Sequence, residues 1–476
     1  PRGQCGGGVG LLPWLLFAHG HPYSATPGEK RAKNSQAQSR TYTATMQKPS
    51  AEFEDSPQVV TPVPTRDALS AVMAGFLGWT LDAFDFFLVV ISLPRIQADF
   101  HVGESDMAFS IFLTLAFRPV GALIFGLLAD RFGRRIPMMV DLVFYSAVEV
   151  ATGFAPNFTT FLILRALFGI GMGGEWGVGA SLVMEKVPAK WRGVLSGFLQ
   201  EGYAFGYLLA AVAAYFMLNR FGWRPMFFLG GAPALLALFI RFGIKESEVW
   251  QKTKAHSWTE LIRGILSHWK VWVYLTLLMA MMNFSSHGTQ DMFPTFMKHF
   301  RGLDAKVYSK VVIIMMCGAI IGGVAFGLAS DRLGRRRMMI TAFCGALAVV
   351  PLWALSAKLA PIILGAFLMQ FMVQGAWGII PAHINELSPD QVRGFLPGFA
   401  YQCGNLIAAS IAWAQSTLAR SHPYPHVMGV SAAIIFCLAI VVTALGRERR
   451  GVVFGQAEKP PRTTDRSGLP IIEKGI

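Results

Sequence analysis

Gly126-Leu-Leu-Ala-Asp130-Arg131-Phe-Gly133-Arg134-Arg135 returns later in the chain as Gly327-Leu-Ala-Ser-Asp331-Arg332-Leu-Gly334-Arg335-Arg336, at a spacing of 201 residues (331 minus 130). The same spacing carries Trp176 to Trp377, Glu185 to Glu386, Pro188 to Pro389 and Arg192-Gly193 to Arg393-Gly394. One unbroken spacing across several apolar segments marks a duplicated unit. In each copy the glycine permits a tight turn, while the aspartate and arginines can pair with neighbouring helix ends and hold one conformation closed. Asp130, Arg131, Gly133 and Arg134, with their counterparts Asp331, Arg332, Gly334 and Arg335, are therefore expected to gate a conformational change. The competing reading, that these arginines only mark one side of a membrane, does not account for an aspartate in both copies.

Hydrophobic residues make up 53% of the 476 positions and charged residues 15%, with 37 Phe and a mean hydropathy of +0.45. A soluble domain carries about 25% charged residues, so an all-α integral membrane protein is expected. Stretches of about 20 apolar residues cross a hydrocarbon core of about 30 Å. They fall near 70–93, 106–129, 137–155, 159–184, 193–217, 225–243, 271–297, 308–329, 337–356, 360–385, 395–417 and 426–445. These predict twelve transmembrane helices in two six-helix halves, 67–243 and 271–446, with a cytoplasmic linker at 244–270 and a cytoplasmic tail at 447–476. The formal charge is +14. Its basic residues cluster in short loops: Arg131, Arg134 and Arg135; Lys186, Lys190 and Arg192; Arg332, Arg335, Arg336 and Arg337; Arg447, Arg449 and Arg450. That is the bias of cytoplasmic loops rather than of a nucleic-acid surface, and it places both termini on the cytoplasmic side of the cell (inner) membrane.

Of five cysteines, Cys317, Cys344, Cys403 and Cys437 lie in apolar spans without metal-ligand spacing, so neither a metal site nor a structural disulfide is expected. No nucleophile–base pair or cofactor loop is evident, and an enzyme with a bound cofactor is not expected. Gly169-Ile-Gly171-Met-Gly173-Gly174 follows no strand, so it reads as close helix packing through small residues rather than as a nucleotide loop. Residues 1–66 are expected to form a disordered segment, with 1–45, ahead of the first methionine at Met46, an over-extension of the gene model.

Strongly polar side chains cost roughly 2.5–3.5 kcal/mol each at a helix centre in lipid and persist there mainly for function. Asn283-Phe-Ser-Ser286-His287-Gly-Thr289-Gln290-Asp291 places Asn283, His287 and Asp291 on one helical face, with Gln290 beside them. A histidine one turn from a carboxylate inside a membrane is a proton-handling pair in prospect. At about ten residues from the cytoplasmic helix ends, Asp82, Asp85, Arg118, Glu175 and Glu201 share the midplane depth. The repeat maps Asp82 onto Asn283 and Glu201 onto Gln402. Arg118 is either held by Asp82, Asp85 or Glu175 as a permanent bridge, or shared with an anionic ligand. Glu175 and Glu201 read either as proton carriers or as protonated packing residues. Glu149 lies on a span expected to be peripheral, and Asn405 and Gln374 read as interhelical hydrogen-bonders.

The Gly-x-x-x-Asp-Arg-x-Gly-Arg-Arg loop of both halves is similar to the signature of the major facilitator superfamily, over about residues 66–450. The seventh span, Asn283-x-x-Ser286-His287-x-Thr289-Gln290-Asp291-x-x-x-Thr295, resembles that of Jen-type lactate/pyruvate:proton symporters at every specified position. Gly78-Trp79-Thr80-Leu81-Asp82-Ala83-Phe84-Asp85-Phe86 looks like the first-span signature of the wider sialate:proton symporter group. Arg118-Pro119-Val120-Gly121-Ala122 resembles the Jen-type Arg-Ser-Val-Gly-Ala, with proline in place of serine. The resemblance implies a proton-coupled symporter importing a small monocarboxylate such as lactate or pyruvate, working as a monomer in the lipid bilayer. It implies a carboxylate held by Arg118 and bound by Asn283, Ser286, His287 and Gln290, with Phe205 and Gln402 as weaker lining candidates. Proton coupling then falls to Asp291 with His287, with Asp82, Asp85, Glu175 and Glu201 as further candidates. A sialate or aromatic-acid symporter of the same fold and a non-transporting nutrient sensor are the alternatives.

Overall fold

A computed structural model describes residues 64–231, 235–236 and 243–456 of the chain. The expected N-terminal segment lies outside the described residues up to position 63, as does the tail from 457 onward. The first half contains α1 (Arg66–Phe100), α2 (Glu104–Phe132), α3 (Arg135–Gly153), α4 (Phe158–Lys186), α5 (Arg192–Gln200), α6 (Gly202–Phe221) and α7 (Arg224–Leu229). Two short helices, α8 (Glu248–Thr253) and α9 (Trp258–Ser267), occupy the connection between halves. The second half contains α10 (Trp269–Gln290), α11 (Ala305–Leu333), α12 (Arg335–Val350), α13 (Leu359–Leu387), α14 (Leu396–Ala408), α15 (Ile411–Leu418) and α16 (Tyr424–Leu445).

Nine described helical stretches are long and apolar enough to cross a membrane, and α9 with α10, bent by 65°, adds a tenth. The predicted eleventh span is broken between α14 and α15, so neither piece alone has membrane-crossing length. The predicted sixth span begins with α7, and most of its remainder lies outside the described residues. The fifth span also has a soft break, at Glu201 between α5 and α6.

Local chemistry sets the helix ends. The Thr65 side chain accepts from the Ala68 amide at 3.2 Å, and Asn157 accepts from Thr160 at 2.8 Å, each satisfying a donor that a helix start leaves open. The Asp-Arg-x-Gly turn joins α2 to α3 and α11 to α12. Gly133 and Gly334 both stand at φ +103°, a backbone region that side chains with a Cβ avoid. Just beyond each turn a carboxylate covers the new helix start. Glu246 accepts from the Arg134 and Arg135 amides at 3.0 and 3.1 Å, and Glu448 from the Arg335 and Arg336 amides at 3.1 and 2.9 Å.

The small residues of α4 pack as expected against α2. A Cβ at Gly169 would meet the Thr114 carbonyl at 2.2 Å, and one at Gly173 the Arg118 carbonyl at 1.9 Å. This backbone-to-backbone approach fixes the height at which Arg118 enters the interior.

Gly133→Ala and Gly334→Ala are expected to cost about 1–3 kcal/mol each, because either alanine must hold a glycine-only conformation beside a capping glutamate. Thermal unfolding of the purified variants in detergent measures the loss; an unchanged melting temperature would show that the turn relaxes freely.

Candidate functional site

The two halves enclose a cavity of about 410 Å³ at mid-depth. Its first-half wall comes from α1 (Trp79, Phe86, Phe87), α2 (Ile111, Leu115, Arg118) and α5–α6 (Gln200, Glu201, Tyr203, Tyr207). The second half supplies Asn283, Ser286, His287, Gln290 and Asp291 from α10, Gln374 and Trp377 from α13, and Tyr401 and Asn405 from α14. Asn283, His287 and Asp291, which the sequence set on one face, all reach the cavity, and so do Gln290 beside them and Ser286.

Arg118 is only 4% exposed, and its Nε and Nη2 atoms have no hydrogen-bond partner. Its guanidinium carbon lies 5.9 Å from the centre of the Tyr401 ring. The expected bridges to Asp82, Asp85 or Glu175 are not formed: none of these six carboxylate oxygens has a partner, and none of the three residues lines the cavity. Desolvating a guanidinium that no carboxylate pairs costs several kcal/mol, and this one faces the cavity without such a partner among the described residues.

The second-half wall is a hydrogen-bonded array. His287 Nδ1 faces Asp291 Oδ2 at 3.1 Å and its Nε2 faces Asn405 Oδ1 at 3.2 Å, so a proton on either nitrogen meets an oxygen acceptor. Gln290 donates to Gln370 at 2.6 Å, Gln370 donates to Thr289 at 3.1 Å, and Gln374 donates to Ser286 at 3.3 Å. Asn283 donates to its own helix at Met279 at 2.8 Å. Asn405 and Gln374 therefore bridge helices, as expected, and line the cavity as well.

Several expected positions move. Phe205 is 42% exposed and meets Phe76 edge-on at 5.6 Å, away from the cavity. Tyr203 and Tyr207, one turn apart, take the inner face of α6, and a residue two positions on from Tyr203 turns about 200° from it. Gln402 is displaced in the same way: Tyr401 and Asn405 face the cavity, while Gln402 is 1% exposed behind them with both amide atoms unpartnered. Asp82, Asp85 and Glu175 are buried in the first half, clear of the lining, whereas Glu201 reaches it. The third span lines no part of the cavity, yet its inner face carries buried charge. Glu149 is fully buried in an ion pair with Arg165 at 2.6 Å, and Asp141 is buried nearby in α3. Arg165, stacked among Phe161, Phe168 and Phe227, is a second buried arginine that depth counting missed.

Below the cavity the aromatic rings close ranks. Tyr401 of the second half packs on Trp176 at 4.6 Å and approaches Trp79 at 6.4 Å in the first. One turn below, Gly177 and Gly398 bring α4 and α14 into backbone contact, with a Cβ on Gly177 falling 2.5 Å from the Gly398 Cα. The end carrying the basic loops is shut by two equivalent latches. Asp130 accepts from the Gly394 and Phe395 amides at 2.7 and 2.9 Å, and Asp331 from the Gly193 and Val194 amides at 2.8 and 3.0 Å. Each carboxylate thus sits at the N-terminus of a helix of the opposite half, where free amides and the helix dipole attract an anion.

Buried arginines brace the latches. Arg134 pairs with Asp130 at 2.5 Å and Glu185 at 3.0 Å, while Arg335 pairs with Asp331 at 2.8 Å and Glu386 at 3.1 Å. Across the halves Arg192 meets Glu386 at 3.2 Å, and Arg393 approaches Glu185 at 3.8 Å. Arg131 and Arg332 do not join in. Arg131 reaches the Ala255 carbonyl in the connection at 3.3 Å, and Arg332 is exposed.

A duplicated helical bundle with a central cavity open between its halves and latched at one end defines a membrane transporter. The chain belongs to the Major Facilitator Superfamily, whose family model matches residues 75–412 and 292–470. Its fold is accordingly the twelve-helix, two-half fold of that superfamily, and it is not an enzyme. It is 28% identical over 79% of its length to a carboxylic acid transporter protein homolog of Saccharomyces cerevisiae, covering 67% of that protein. It is also 28% identical over 79% of its length to the sialic acid transporter NanX of Escherichia coli, covering 91% of it. Among solved structures, the proton:xylose symporter XylE bound to 6-bromo-6-deoxy-D-glucose superposes with a TM-score of 0.69 at 19% identity, covering 82% of this chain and 98% of that one.

Asp130→Asn is expected to loosen the closed end, since it removes the charge from three contacts and strands Arg134 beside Glu185 alone. Loss of one partner from a buried ion pair costs about 3–5 kcal/mol. Ser196, fully buried on α5 and accepting from the Ala382 amide of the other half at 3.0 Å, is a position at which to read the opening. A Ser196→Cys reporter is expected to react faster with maleimide in the Asp130→Asn background; equal rates would remove Asp130 from the latch.

Proposed function

We propose that the protein imports a small monocarboxylate together with a proton. The observation that carries this reading is Arg118, a buried guanidinium that faces the central cavity with no carboxylate partner among the described residues. Asn283, Ser286, His287 and Gln290 stand opposite it with the hydrogen-bonding groups that a carboxylate's neighbouring hydroxyl or carbonyl needs. An anion crossing alone would work against an inside-negative potential at about 2.3 kcal/mol per charge per 100 mV. One proton moving with it makes the step electroneutral. His287 and Asp291 supply the place for that proton in the cavity wall, with Glu201 the other carboxyl that lines it; Asp82, Asp85 and Glu175 form a reserve set inside the first half. The basic-loop bias puts the latched end and both termini in the cytoplasm, with the cavity facing outward across the cell membrane. Each chain carries a whole cavity, in keeping with a functional monomer.

Lactate and pyruvate are the first substrates this reading names, supported by the α10 pattern and the yeast carboxylic-acid relative. A second reading, a larger planar or aromatic acid, is favoured by the walls. Trp79, Phe86, Phe87, Tyr203, Tyr207, Trp377 and Tyr401 line a cavity of about 410 Å³, which a three-carbon acid does not fill. Sialate fits less well, because each of its hydroxyls left unpaired there costs about 1–3 kcal/mol.

Uptake of radiolabelled lactate into proteoliposomes under an imposed pH gradient tests the assignment, with pyruvate, benzoate and sialate as competitors. Lactate and pyruvate are expected to compete with each other and sialate poorly; sialate blocking at lower concentration than lactate would overturn the monocarboxylate reading.

Arg118→Lys is expected to abolish or severely weaken uptake, because an ammonium cannot reproduce the two-pronged contact of a guanidinium with a carboxylate. Normal uptake at normal expression would release Arg118 from that role.

Asp291→Asn is expected to impair pH-driven accumulation more than substrate counterflow, which needs no net change in protonation. Accumulation that still follows the gradient would move the proton site to the remaining carboxyls, Glu201 first.

A further inference from the structure

The chain beyond α16 returns to the latched end. Phe454 is 8% exposed, and its ring centre lies 3.9 Å from the Arg192 guanidinium carbon and 3.7 Å from that of Arg393. Two guanidinium groups this close to one ring must take opposite faces, since one face has room for one of them. Arg192 begins α5 in the first half and Arg393 precedes α14 in the second, and the two are equivalent under the 201-residue repeat. The segment around Phe454 is tied down at both sides. Arg192 donates to the Val452 carbonyl at 3.0 Å, and the Gly455 amide donates to Asp390 at 2.8 Å.

Arg192 and Arg393 are also the arginines that reach across to Glu386 and Glu185. Both approach the midline between the halves, where like charges repel. An aromatic ring between them offers each cation a negative π-face and screens one from the other.

We propose that Phe454 is a positioning residue of the latch: it holds Arg192 and Arg393 where each pairs with the opposite half, and it must withdraw before the closed end opens. The tail from Arg449 to Gln456 then acts as a strap that favours the outward-facing cavity. This rests on the alternation of access between the two ends and not on the identity of the cargo.

The test uses the full-length protein in proteoliposomes carrying the Ser196→Cys reporter, with maleimide labelling followed from the latched end. Phe454→Ala is expected to raise the labelling rate by roughly fivefold or more, as the population with an open lower end grows. Phe454→Trp, which keeps a π-face, is expected to stay slow. Phe454→Leu keeps apolar bulk without the π-face and is expected to label as fast as the alanine variant. Asp130→Asn serves as the positive control. A response to Asp130→Asn with none to Phe454→Ala overturns the strap alone. Slow labelling of Phe454→Leu overturns it too, reducing the residue to packing. No response to any variant, the control included, overturns the alternation and the strap with it.

Discussion

The structure depends on a carboxylate set at the start of a helix that belongs to the other half. Asp130 against Gly394 and Phe395, and Asp331 against Gly193 and Val194, join two bundles that also meet at that end through arginine–glutamate pairs, ring on ring and glycine on glycine. Everything around these two points supports them. The positive-φ glycines turn the chain so that the aspartates project, Arg134 and Arg335 neutralise them, and Glu185 and Glu386 neutralise the arginines in turn. With that end shut, the cavity above becomes a pocket with a floor, and Arg118 becomes a cation that water reaches poorly.

The duplicated unit was legible because it repeats at one spacing, and the face of α10 because residues four apart must align on a helix. Asn283, His287 and Asp291 all reach the cavity for that reason. Depth was legible too, since 1.5 Å per residue converts position into height. Rotation about the helix axis was not. Phe205 and Gln402 lie at the expected height but point elsewhere, and the tyrosines that replace them, Tyr203 and Tyr401, carry no sequence mark that sets them apart from other aromatic residues in apolar spans.

Other parts of the site were hidden by a different cause. Glu246 and Glu448 cap equivalent helices, yet they stand 202 residues apart (448 minus 246), one more than the repeat, so a search at fixed spacing passes them by. Arg165 escaped because its partner, Glu149, comes from a span whose inner face could not be recognised from composition. Phe454 meets residues far away in the chain, and nothing local announces a ring that two arginines share.

The crossing of Gly177 and Gly398 has a consequence for how the floor of the cavity can be remade. Two bare backbones in contact make a surface without interdigitating side chains, so one helix can slide or tilt over the other without any side chain changing rotamer. The latch carboxylates next to it accept from amides, groups that water satisfies nearly as well once they part. This part of the seal has little to re-sort on opening and little to find again on closing. Its two states can therefore lie close in free energy, as they must in a machine that passes through both on every cycle.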